Sequence, residues 1–193
     1  MDHVERYKEM IRNDWFEDHV AEVRGEEGLQ VISWGKPGTN MYRTKYVLSG
    51  NNVFISGDIG EAVYSLTCAA TLDNIKGFNL GYFTGKLQAF CESRWNFDEK
   101  QAKKELREHW HEYEMNDMPD GPEIYTEIVE AMEESISTEA YQGWLTSVFS
   151  NTSMDSDTLE DVWDFGKVMP PRLIAYWVGL QMAAEQLAKE ESA

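Results

Sequence analysis

The chain has 193 residues, 42% of them hydrophobic and 12% aromatic, and carries 17 basic against 35 acidic side chains for a net charge of −18. That apolar content is enough for a core and argues against wholesale disorder. The charge argues against a nucleic-acid binder gripping phosphates and against a protein held on anionic lipid, since both need clustered Lys and Arg.

In chain order, residues 3–24 are predicted to form a helix: Val4, Tyr7, Ile11 and Trp15 recur at helical spacing, and Gly25 or Gly28 closes the segment. Residues 29–34, 41–49 and 52–56 are predicted strands, joined by the GKPGTN loop and by Gly50-Asn51 into a three-stranded antiparallel meander. GDIGEAVYSLT, residues 57–67, reads as a turn and a helix, with Asp58 as N-cap and Glu61 completing a capping box. Helices are predicted over 80–93, 97–115, 122–134, 138–149, 158–165 and 171–190. Asn96 with Glu99, Asp157 with Glu160, and Pro170-Pro171 supply start signals for three of them. In the last, Leu173, Ile174, Trp177, Leu180, Gln181, Ala184 and Leu187 share a face.

The order of helix, small sheet and many helices predicts an α+β fold in one domain spanning 1–193. Residues 1–67 hold the helix and small sheet, and residues 68–193 form an acidic helical part. No apolar run approaches the roughly 18–20 residues of a membrane span. The N-terminus is charged throughout, unlike a signal peptide, and the two cysteines, Cys68 and Cys91, make no disulfide framework. A cytoplasmic protein is expected, and a two-fold homodimer is the base-rate expectation for its assembly.

The acid is concentrated. Residues 1–97 hold 10 bases and 13 acids, whereas Glu105–Asp164 hold 17 acids and one base, Arg107. Aromatic and aliphatic residues are interleaved with these acids, so the charge sits on folded elements. Glu123, Glu127, Glu130 and Glu134 recur at i, i+4, i+7 and i+11 and share one helical face. Axial rises of 1.5 Å per residue put them ~4.5–6 Å apart along the axis. Like charges at i,i+4 each cost a few tenths of a kcal/mol, and this helix has no Lys or Arg to relieve them. Glu112, on the preceding helix, and Asp157 and Asp161 extend the acidic set. One reading is a surface that imitates nucleic-acid phosphates and binds a basic, nucleic-acid-binding protein, with Trp110 or Trp144 as apolar anchors. The plain alternative is a solubilising acidic surface.

The other motifs favour structure over chemistry. Glu108 and His111 make a single E-x-x-H, where a di-iron bundle needs two such motifs and two more glutamates. GKPGT lacks the phosphate-loop pattern and reads as a hairpin loop, and MDSDTLED fails the calcium-loop pattern. There is no G-x-S-x-G, Cys91 in LQAFCE reads as a buried structural thiol, and no cofactor, metal or catalytic residue is assigned.

Two stretches, VFISGDIGEAVYSLT (53–67) and PPRLIAYWVGLQMAAEQL (170–187), carry a resemblance to small accessory proteins of phages and prophages of Firmicutes. The resemblance implies a context, since such acidic proteins include anti-CRISPR and anti-restriction inhibitors, several of which mimic DNA. The expectation is therefore a non-enzymatic inhibitor of a host nucleic-acid-handling defence protein, such as a CRISPR nuclease, acting in the host cytoplasm without binding nucleic acid or membrane itself. Its partner-binding residues would be Glu112, Glu123, Glu127, Glu130, Glu134, Asp157 and Asp161. Three alternatives stay open. A small-molecule binder could sequester a nucleotide signal with the Gly57–Glu61 turn, the sheet aromatics and Arg43, Lys45 or Arg94. A metal-dependent enzyme could use Glu and His ligands, and an acidic chaperone-like partner is the third.

Overall fold

A computed structural model describes residues 3–26, 28–150 and 160–191. The fold is α+β, and the chain divides into two compact units. The first is built from residues 1–94 together with 170–193, and the second from residues 95–169.

In the first unit, helix α1 (His3–Met10) widens into a π-helical turn at Ile11–Trp15. Six strands follow: β1 (Val20–Glu26), β2 (Leu29–Gly35), β3 (Thr44–Ser49), β4 (Asn52–Gly57), β5 (Ala62–Ser65) and β6 (Leu87–Phe90). They pair antiparallel in simple sequence order, so each strand lies beside its neighbour in the chain. Short helices α2 (Leu72–Lys76) and α3 (Leu80–Gly85) interrupt the run between β5 and β6. The unit closes with α7 (Pro171–Glu191). Side chains alternate along the central strands: Ile32, Trp34, Tyr46, Leu48, Val53, Ile55 and Tyr64 are buried on the face that receives α7.

Helix α7 is buried on more than one face because α1, α2 and α3 pack against it as well as the sheet. A Cβ at Gly179 would stand 2.5 Å from Tyr46 Oη and 3.0 Å from Phe16, so glycine lets the helix backbone approach the sheet. Polar pins hold the register. Tyr46 Oη donates to the Tyr176 carbonyl at 3.2 Å, Tyr176 Oη to the Ile59 carbonyl at 2.9 Å, and Trp177 Nε1 to the Phe78 carbonyl at 3.0 Å. Partnered buried polar groups of this kind orient an otherwise non-directional apolar contact.

The three predicted strands are the centre of a wider sheet. The predicted helix over 3–24 stops at Trp15, and its last third is β1, an edge strand in which Ala21 alone is buried. The predicted helix over 57–67 is instead a turn and β5. Asp58 caps no helix; its Oδ2 accepts from Tyr42 N at 2.8 Å, and its own N donates to the Arg43 carbonyl. The predicted helix over 80–93 ends at Gly85, and β6 joins the edge beyond β5. Cys91, expected buried, is exposed.

The second unit is mostly helical: α4 (Glu99–Glu112), α5 (Gly121–Glu134) and α6 (Thr138–Ser150). Its two chain ends are joined by a ribbon in which β7 (Asn96–Phe97) pairs antiparallel with β8 (Lys167–Val168). The N-cap of α4 is Asp98, which accepts from Gln101 N at 3.0 Å, rather than the predicted Asn96. The core gathers Leu106, Trp110, Met115, Ile124, Ile128, Met132, Tyr141 and Leu145. Asp157, the expected cap of the helix over 158–165, lies outside the described residues, and Asp161–Asp164 form a single 3₁₀ turn. Among the described residues no helix is long and apolar enough to cross a membrane.

Candidate functional site

The charge asymmetry follows the division into units. The first unit carries 12 bases and 16 acids, a net −4, and the second carries 5 bases and 19 acids, a net −14. Inside the second unit the helical period decides where that charge goes. Ile124, Ile128, Ala131 and Met132 turn α5 into the core, which leaves Glu123, Glu127, Glu130 and Glu134 exposed along the flank of that face. None of the four has a cation within 4.0 Å among the described residues, whereas Glu133, on another side of the same helix, pairs with Lys103 at 2.7 Å.

Helix α6 completes a cleft. Glu127, Glu130 and Glu134 of α5 face Trp144, Ser147 and Val148 of α6 across a concavity of about 330 Å³. Trp144 is 49% exposed, a large aromatic surface left in water beside three carboxylates. Trp110, the other anchor considered, is 2% exposed and packs edge-on against Tyr125 with ring centroids 5.4 Å apart. It belongs to the core.

The structure therefore joins three of the seven expected partner-binding residues in one cleft with Trp144. Glu123 continues the same helical face but does not line the cleft. Glu112, at the end of α4, and Asp161, on the 3₁₀ turn 3.9 Å from His109 Nδ1, are exposed outside it. Asp157 lies outside the described residues. Sequence spacing located the Glu face. Assigning Trp144 to the rim required knowing which side of α6 meets α5.

The first unit holds a different kind of concavity. The β2–β3 loop, residues 36–43, curls beside the strands, and two adjoining clefts of about 460 and 410 Å³ share Asn40 and Arg43 as lining residues. Arg43, Lys45, Gly57 and Asp58 line the second of them. Arg94, grouped with these cations from the sequence, instead donates to the Thr84 carbonyl at 3.2 Å. Among the described residues no three His, Cys, Asp or Glu side chains are grouped as a metal site would require.

No protein-family model, no curated protein and no solved structure matches the chain.

Proposed function

We propose that this chain is a binding protein whose acidic second unit occupies a basic, nucleic-acid-binding surface of another protein and so inhibits it by competition. The observation that carries the reading is the α5–α6 cleft, where Glu127, Glu130 and Glu134 lie without cation partners among the described residues, beside an exposed Trp144. Carboxylates on a rigid helix imitate a phosphate row without the entropy of a flexible polyanion. Their field speeds association with a basic channel and makes binding salt-sensitive. Charge alone discriminates poorly between basic surfaces, and a half-exposed Trp is the residue type that supplies a specific, desolvated anchor. The resemblance to phage and prophage accessory proteins makes a host defence nuclease, such as a CRISPR nuclease, the first partner to try.

The test is affinity capture from bacterial lysate at low and high salt. The baits are the intact chain, a variant with Glu123, Glu127, Glu130 and Glu134 changed to Lys, and Trp144→Ala. The expected result is a nucleic-acid-binding protein retained by the intact chain, released at high salt, lost with the charge-reversed bait, and displaced by its own DNA or guide RNA. Capture that persists with the charge-reversed bait, shown folded by circular dichroism, would overturn the reading.

A further inference from the structure

We propose a second binding site, for a nucleoside phosphate, on the outward face of the six-stranded sheet: Arg43 and Lys45 take the phosphate and Phe54 takes the base. Four independent features of that face converge on it.

The first is charge. In a chain with twice as many acids as bases, Arg43 and Lys45 sit side by side with no carboxylate within 4.0 Å among the described residues. Arg43 spends one guanidinium donor on Asn40 Oδ1, at 3.3 Å, and keeps the rest of its fork for a bidentate acceptor. Three nearby acids are otherwise engaged, Asp18 with Lys36 at 2.5 Å, Glu22 with Arg24 at 3.6 Å, and Asp58 with the Tyr42 amide, while Glu61 lines the neighbouring cleft beside Phe54.

The second is an apolar row at the right offset. The pairing register places Val31, Val47, Phe54, Val63 and Ala89 opposite one another across five strands. Lys45 pairs with Ser56 and Val47 with Phe54, which makes Lys45 and Phe54 diagonal neighbours on one face. Such neighbours are ~7–8 Å apart, a span suited to a phosphate at one end and a base at the other. Phe54 is 41% exposed, leaving its ring face accessible for stacking.

The third is room. Ser33, Gly35, Gly38, Ser56 and Gly57 contribute small side chains to the two clefts beside Arg43 and Lys45, and Phe54 lines a third concavity of about 390 Å³ that shares Ser56 with the second.

The fourth is preorganisation. Tyr42 holds a left-handed backbone, φ 55°, and its ring stacks on Trp15 at 4.8 Å with planes 4° apart. Arg43 is fixed on both sides, its N donating to the Asn40 carbonyl at 3.1 Å and its carbonyl accepting from Asp58 N at 2.8 Å. A non-glycine residue stays in this sparsely populated region only where its surroundings impose it, and here they also hold the cation in place.

The test is a titration of the ¹⁵N-labelled full chain with AMP, GMP, CMP and UMP, with inorganic phosphate and adenosine as separate arms. At least one monophosphate is expected to shift and saturate the amides of residues 33–47 and 54–58, more tightly than phosphate or adenosine. Lys45→Ala and Phe54→Ala, both exposed strand positions, should each weaken binding about tenfold or more. Lys45→Gln serves if the alanine variant misfolds. No saturable shift with any monophosphate overturns the site. Phosphate binding as tightly as the nucleotides, with Phe54→Ala silent, overturns the nucleoside assignment. Neither result bears on the acidic cleft, because the residues tested lie in the other unit.

Discussion

Gly179 lies where α7 packs tightly on the sheet, with Tyr46 Oη, Phe16 and Trp34 all within 3.2 Å of where a Cβ would be. Helix propensity alone would favour alanine there by about 1 kcal/mol. Overpacking of a filled site costs about 1–3 kcal/mol and should reverse the sign. Gly179→Ala is therefore expected to lower the urea midpoint of the first unit, and a raised midpoint would show that the contact yields. His19 provides a second residue-scale case. It is buried against Phe16 and Trp34, with ring centroids 4.9 and 5.4 Å away. Burial lowers its pKa below the ordinary 6.5, and Lys36 acts in the same direction, while the Tyr42 backbone and Asp18 oppose them. The unfolded chain then binds the proton more readily than the folded one. Stability is thus fully present above about pH 6.5 and is lost as the pH falls through that value. Urea midpoints measured from pH 7.5 to 5 should decline for the intact chain and flatten over that window in His19→Leu.

Among the elements, α5 separates stability from function most clearly. Its four-glutamate face places like charges at i,i+4 and i,i+3 with no Lys or Arg on the helix to relieve them, a cost that a purely structural helix would shed by substitution. Glu127→Lys would give Glu123 an acid-before-base partner at i,i+4 in the favourable orientation. The second unit should gain a few tenths of a kcal/mol in denaturant unfolding. Under the proposed function the same change should weaken partner binding and flatten its salt dependence. A variant that gains stability without losing capture would place the binding surface elsewhere. Strand β1 shows an element shaped by its position at the sheet edge. Glu22, Arg24 and Glu26 discourage further pairing, and Ala21 N donates to Gln186 Oε1 at 2.6 Å, taking one ladder donor out of reach.

At the scale of the molecule, the second unit is an insertion. The chain leaves the first unit after Arg94, and the pairing of Asn96 with Val168 brings the two ends of the inserted unit together before the chain re-enters the first unit at Pro170. An insertion whose ends meet is one that its host tolerates losing. A chain with residues 95–169 replaced by a short Gly/Ser linker should keep the two-dimensional amide spectrum of the sheet residues. Residues 95–169 alone should retain capture of the partner. Collapse of the sheet spectrum on excision would show that the units depend on one another. The inserted unit, at −14, should also gain stability on moving from low to physiological salt as its self-repulsion is screened, with a smaller change in the −4 unit.

The sequence alone determined the features that follow from local periodicity. These include the apolar face of α7, the span of α5 and α6 to within a residue or two, the three central strands with their turns, and the outward Glu face of α5. Each is written in neighbours a few residues apart, so burying one stripe settles the other. The elements misread as helix depended on partners far along the chain. Residues 62–65 follow a plausible capping box, yet they pair with β4 on one side and β6 on the other. Residues 20–26 look like the end of a helix until β2 is laid beside them. Asp58 resembles a cap locally and is taken by the Tyr42 amide 16 residues away in the chain. The cleft around Trp144, the placing of Arg43 and Lys45 beside Phe54, and the return of Pro171–Glu191 to the sheet were decided only by tertiary structure. Whether a side chain rims a cleft or fills a core depends on which element packs against it, and that choice minimises the exposed apolar surface of the whole chain.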